Sequence, residues 1–156
     1  MPGIQDLLDG DLIIEDLKAI DKAGVIQEFA ALLRAKGKVR DADALVREVL
    51  KRESSGTTGV GDGIAIPHAR LKNIPDIIVA FGRSARGVDF QSIDGKPAYL
   101  FFLFATSEDR PDDHLRTLRR LSRIMRNPSL REQLKHALNA QELQRLIVDE
   151  DSKYLK

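Results

Sequence analysis

The alternation of apolar and polar positions divides the chain into a helical first third, a strand-rich middle and a helical last third. Leu12-Ile13-Ile14 predicts a short strand, preceded at residues 4–8 by at most one helical turn. Ile26, Phe29, Ala30 and Leu33 recur at helical spacing, with Asp21 as a side-chain cap and Gly37 as the stop after Lys36. Leu45, Val46, Val49 and Leu50 predict a second helix, opened by Asp41 or Asp43, whose last turn carries Lys51, Arg52 and Glu53. From there the periodicity changes. Residues 64–66 read as a short buried strand, 77–81 as a strand and 88–90 as an extended piece, and Asp94-Gly95 is a turn dipeptide of the hairpin kind. The aromatic-rich run 98–105 predicts a central strand covered on both faces.

Past a polar loop at 106–113, with Pro111 near a helix start, His114, Leu115, Leu118, Leu121, Ile124 and Met125 line one amphipathic helix that ends near Asn127-Pro128. Leu130, Leu134 and Leu138 continue at i, i+4, i+8, and Leu143, Leu146 and Ile147 form a last short helix. This order predicts a single α/β (α+β) domain over residues 1–156, built on a mixed sheet.

Composition narrows the class. With 42% apolar and 31% charged residues the chain is a globular protein of one domain rather than a disordered one. A formal net charge of +1 gives no global field to recruit nucleic acid or an anionic membrane. The absence of cysteine excludes disulfide and thiolate chemistry and permits a cytoplasmic location. The first ten residues lack the basic and apolar regions of a signal peptide, and the run 98–105 is far shorter than the ~20 residues of a membrane helix. No membrane insertion is expected.

The chemistry gathers in Gly59-Val-Gly-Asp-Gly-Ile-Ala-Ile-Pro-His68-Ala-Arg-Leu71. Three glycines at alternate positions free the backbone to approach a ligand, and Pro67 fixes φ just before the histidine. From the residues alone, His68 is either a phosphate-facing histidine at a strand end or a structural one beside an ordinary turn. Glu53, six residues, then Val60-Gly61-x-x-Ile64-Ala65-Ile66-Pro67-His68-Ala69 resembles the phosphorylation-site signature of the fructose/mannitol-type IIA proteins of the bacterial phosphoenolpyruvate:sugar phosphotransferase system, a family that includes the nitrogen-regulatory IIA branch. The resemblance implies a three-layer α/β/α fold with a mixed sheet, and His68 as the residue that carries the phosphoryl group. It implies no cofactor and no metal. Its partners would be an HPr-like phosphocarrier as donor, and a IIB domain or regulatory protein targets downstream.

Histidine phosphorylation requires one ring nitrogen free as nucleophile and the other donating to a fixed acceptor. Catalysis then rests on positioning and on donors to the equatorial oxygens. His114, Leu115 and Leu118 resemble the family's second motif, whose histidine hydrogen-bonds the phosphoryl group; a His near a helix start also suits an anion. Ala105-Thr106 departs from the Ala-Pro that precedes that motif. Arg52, with its planar fork of donors, matches the family segment ahead of the active loop. Thr58, together with the backbone of Gly59 and Gly61, is the expected phosphate-binding set, with Thr57 a less favoured hydroxyl. Glu53 fits the signature too, but a carboxylate repels phosphate and is expected to be structural. His136, on a polar helical face, is expected to be a bystander. Arg116, Arg119, Arg120, Arg123 and Arg126 form a basic helix face, read as solvated or as a dock for an acidic protein.

Other chemistries fit poorly. There is no P-loop, no dinucleotide glycine pattern, no Gly-x-Ser-x-Gly elbow and no His-Glu-x-x-His pair. Asp112, Asp113 and His114 are adjacent, and three adjacent residues rarely converge on one metal.

Overall fold

The computed structural model describes residues 3–154. Its core is a six-stranded mixed sheet: β1 (Ile13–Ile14), β2 (Gly59–Gly61), β3 (Ile64–Ala65), β4 (His68–Leu71), β5 (Ile78–Val88) and β6 (Ala98–Ser107). The order is β1-β5-β6-β3-β2, with β4 also on β6. β5 and β6 form an antiparallel hairpin, whereas β1 runs parallel to β5, and β3 and β4 run parallel to β6. The last two lie end to end along the same strand, so that Ile64 meets Leu100 and His68 meets Phe104.

Among the described residues six α-helices and a short 3₁₀ turn (Gly10–Leu12) accompany the sheet: α1 (Ile4–Leu7), α2 (Lys22–Ala35), α3 (Ala42–Ser54), α4 (Pro111–Ile124), α5 (Pro128–His136) and α6 (Ala140–Ser152). Their starts follow local chemistry. Asp21, Asp41, Asn127 and Asn139 each accept a first-turn amide, and Pro111 and Pro128 each occupy the first helical position. Gly37, at φ +71°, ends α2.

Neighbouring residues of β5 show the layering. A Cβ on Gly82 would lie 2.7 Å from Phe29 of α2, while the next residue, Arg83, sends its guanidinium to the carbonyls of Leu134 and Ala137 at the end of α5. Successive strand residues point to opposite faces, so α2 and α5 cover opposite sides, as a three-layer α/β/α fold requires. All six phenylalanines are buried between these layers, and each contributes about 2–3 kcal/mol of apolar burial.

Several expectations need correction. The glycine stretch is not a free loop: residues 59–61 and 64–65 pair as two short antiparallel strands around a tight turn. His68 opens a strand that its own sequence does not announce. β5 continues past Phe81 to Val88, because Gly82, Arg83 and Val88 find partners on β6, with an irregularity between Arg83 and Val88. α4 ends at Ile124, short of Asn127-Pro128, and α6 runs 13 residues rather than being a short helix. Leu115 and Leu138 are 56% and 83% exposed and belong to no core stripe.

Candidate functional site

Both motif histidines come together on β6. His68 lies opposite Phe104 in the sheet register, and its ring stacks on Phe104 at 4.9 Å with only 16° between planes. His114, the fourth residue of α4, reaches the same phenylalanine at 5.0 Å and meets His68 edge-on, with ring centroids 5.0 Å apart. The two imidazoles, 46 residues apart in the chain (68 and 114), thus share one aromatic platform, each almost buried at 5% and 7% exposure.

The immediate cause is the two-residue seam between β3 and β4, across which the pairing with β6 keeps one register. There the chain passes Ile66-Pro67, whose carbonyls face opposite edges. Pro67 accepts from the Phe104 amide and stays in the β6 ladder, whereas the Ile66 amide reaches the Thr58 carbonyl on the other edge and the Ile66 carbonyl accepts the His68 Nδ1–H at 2.7 Å. A carbonyl can only accept, so the ring proton sits on Nδ1 and the lone pair sits on Nε2. His114 Nδ1 lies 2.8 Å from the Thr106 hydroxyl.

Burial and neighbouring cations push the two rings toward their neutral forms. For His68, desolvation dominates and lowers its pKa; the Ile66 hydrogen bond opposes this, and the charge of Arg52 adds to it. For His114, desolvation, the charge of a protonated His68, and Arg70 and Arg52 together bring the pKa down to about 4. A neutral His68 is a competent nucleophile near pH 7.

Arg52 stands at the end of α3, where its Nη1 donates to the Gly56 carbonyl at 2.9 Å, and its charge reaches both rings. Arg70 exerts the same influence, and the sequence reading passed over it. It lies two residues after His68 on the same strand, hence on the same face. The missed signal was the period of two, invisible while β4 itself went unrecognised.

The expected phosphate-binding set is placed differently. Thr58 gives its amide and its hydroxyl to the Glu53 carboxylate, which also pairs with Lys22 Nζ at 2.9 Å. The Gly59 amide donates to the Thr57 hydroxyl, which in turn donates to the Phe90 carbonyl. These donors hold the segment in place and have no proton left for a ligand. Gly59 is required for a different reason: a Cβ there would fall 2.4 Å from Ser92 Oγ. Gly61, at φ +94°, makes the turn between β2 and β3. It pairs with Ile64 opposite Leu100, four strand residues from Phe104 and so about 13 Å along the sheet from His68. The structure does not bring it to the imidazoles.

His136 ends α5 on the surface, 3.4 Å from Glu132. The basic face of α4 is partly spent on packing, since Arg120 forms a forked pair with Asp151 and Arg123 lies over Tyr154. Among the described residues no cluster of three or more metal-ligating side chains occurs, and no helix is long and apolar enough to cross a membrane.

Comparison with known proteins bears on the fold and the family. Residues 6–150 match the family described as "Phosphoenolpyruvate-dependent sugar phosphotransferase system, EIIA 2". The chain is 37% identical over 138 residues to a nitrogen regulatory protein of Bradyrhizobium diazoefficiens, covering 88% of this chain and 90% of that one. It is 40% identical over 134 residues to the fructose-specific EIIABC component of Bacillus subtilis, covering 86% of this chain but only 21% of that relative's length. The fold superposes on the crystal structure of the nitrogen regulatory protein IIA-Ntr from Neisseria meningitidis with a TM-score of 0.86 at 29% identity, covering 92% of this chain and 98% of the other. A family match over residues 6–150, a 37% identical relative covered over 90% of its length and the shared fold lead to one assignment: this chain belongs to the EIIA 2 family of the phosphoenolpyruvate-dependent sugar phosphotransferase system.

Proposed function

We propose that this protein is a phosphocarrier of a histidine phosphorelay, a phosphotransferase that takes a phosphoryl group from an HPr-like carrier onto His68 Nε2 and acts as a nitrogen-regulatory IIA protein. The observation that carries this reading is the His68 ring itself, held by the Ile66 carbonyl so that Nε2 is the free nitrogen, 5.0 Å from a second imidazole. The Nε2 lone pair forms the new N–P bond as the donor's N–P bond breaks, and that bond's electron pair stays on the donor nitrogen. The proton stays on His68 Nδ1 throughout, donated to the Ile66 carbonyl. His114 and the cations Arg52 and Arg70 face the negative charge on the transferring oxygens. Thr58 and Gly59 serve the site indirectly, through the Glu53 and Thr57 bonds that hold the segment. No cofactor or metal takes part in this scheme, and it assigns the protein to the cytoplasm, where such a carrier would meet it.

The 37% identity to the nitrogen regulatory relative and the IIA-Ntr likeness support the regulatory branch. The 40% identity to the fructose-specific relative supports a second reading, a sugar-specific IIA that passes the group to a separate IIB domain. Labelling with radioactive phosphate through a purified HPr-like carrier tests the relay: wild type takes label, His68→Ala takes none, and His114→Ala is slowed more in onward transfer than in acceptance. Full labelling of His68→Ala refutes the assignment. A fructose-type IIB domain added to labelled protein separates the branches: rapid discharge marks the sugar branch, whereas retained label marks the regulatory one.

A further inference from the structure

The relay reading uses His114 but leaves its inner partner unassigned. Thr106 sits two residues beyond Phe104 on β6, fully buried, with its hydroxyl 2.8 Å from His114 Nδ1. Two proton arrangements satisfy that distance. Either the hydroxyl donates to a bare Nδ1, or an Nδ1–H donates to the hydroxyl. In the second arrangement the hydroxyl hydrogen is buried without an acceptor, because among the described residues the Thr106 side chain has no other hydrogen-bond partner. Leaving a buried donor unpaired disfavours that arrangement by about tenfold or more. The first arrangement therefore prevails, and it puts the proton of the neutral His114 ring on Nε2.

We propose that Thr106 is a positioning residue that fixes His114 as the Nε2–H tautomer, so that this ring offers an N–H donor rather than a lone pair to phosphoryl oxygens on His68. The inner partners thereby give two adjacent, chemically identical side chains opposite roles. A carbonyl behind His68 withholds any donor and leaves its outward nitrogen nucleophilic; a hydroxyl behind His114 donates and leaves its outward nitrogen protonated. An outward lone pair on His114 would repel phosphate oxygens. The purpose of the tautomer rests on the relay reading, but the tautomer itself does not.

Long-range proton–nitrogen NMR correlation of the imidazoles, run on 15N-labelled protein near neutral pH, tests this directly. Wild type is expected to show His114 with a bare, hydrogen-bonded Nδ1 and a protonated Nε2. Thr106→Ser keeps the hydroxyl and is expected to keep that pattern, with transfer rates within about twofold of wild type. Thr106→Val keeps the shape without the hydroxyl; its His114 Nδ1 loses the hydrogen-bonded signal, the Nδ1–H tautomer becomes populated, and onward transfer falls about tenfold. An Nδ1–H on His114 in wild type overturns the proposal even if the valine variant does not fold. So do unchanged His114 signals and rates in a folded Thr106→Val. Failure of wild type to accept label, with the expected NMR pattern intact, sinks the relay reading and upholds the Thr106 assignment.

Discussion

Acid should destabilise this protein through His114 in a way that can be isolated. Burial and nearby positive charge hold the folded-state pKa at about 4, against an ordinary value of 6.5. Between those values the unfolded chain binds a proton at this position that the folded chain refuses. Stability from this source is therefore complete above 6.5 and is lost as the pH falls toward about 4. At about 1.36 kcal/mol per pH unit, the interval corresponds to up to about 3 kcal/mol, part of it shared with His68, whose positive charge contributes to the lowering. The perturbation is His114→Gln, which removes the titrating group while keeping a polar side chain. Urea unfolding followed by circular dichroism, from neutral pH down to about pH 4, gives the assay. With a slope of about 2 kcal/mol per molar urea for a domain of this size, the wild-type midpoint should fall by about 1.5 M more than the variant's. Apart from His68, whose coupling to His114 is part of the difference being measured, the other titrating groups act on both proteins and cancel. Parallel declines in the two proteins would refute the claim that His114 is held neutral at a cost to acid stability.

Two further outcomes follow from the surroundings of the site. Glu53→Ala removes the acceptor for Thr58's amide and hydroxyl and strands Lys22, whose side chain is only 15% exposed. It should cost about 3 kcal/mol and lower the calorimetric melting temperature by on the order of 10 °C; a drop of less than about 2 °C would show that the clamp holds nothing. Arg52→Ala and Arg70→Ala each take away a cation that disfavours protonation of both rings, so the NMR titration midpoints of His68 and His114 should rise, and further in the double variant. Unmoved midpoints would mean the two guanidinium groups lie too far off to assist phosphate.

What the sequence disclosed and what it hid follow the range of the forces involved. Asp21, Asp41, Gly37 and Pro111 act within a few residues, and each was legible because a cap or a stop is a local hydrogen bond or a fixed dihedral. The strand at 98–105 announced itself because burial on both faces demands an unbroken apolar run. His68-Ala-Arg-Leu71 carries no such pattern; it is a strand only because β6 lies alongside. The same partner extends β5 past Phe81 by pairing with Gly82, Arg83 and Val88. Leu115 and Leu138 show the opposite failure, since spacing that counts apolar residues cannot tell which side of a helix has a neighbour. At the site, the motifs pointed to both histidines, but their meeting over Phe104 is a tertiary contact. The prior commitments of Thr58 and Gly59 were hidden although their acceptors, Glu53 and Thr57, lie only five and two residues away, because each bond exists only once the end of α3 and the turn after it have their three-dimensional form.

The seam between β3 and β4 ties reactivity to a carbonyl that the sheet does not use. The register along β6 is the same on both sides of it, Ala65 opposite Phe101 and His68 opposite Phe104, and the Pro67 carbonyl keeps its place in that ladder. Residue 66 faces the other edge: its amide reaches the Thr58 carbonyl, and its own carbonyl is left to the imidazole. A further strand added on that edge would claim the Ile66 carbonyl and leave the histidine with no fixed direction, so the edge must stay open there for the nucleophile to be aimed.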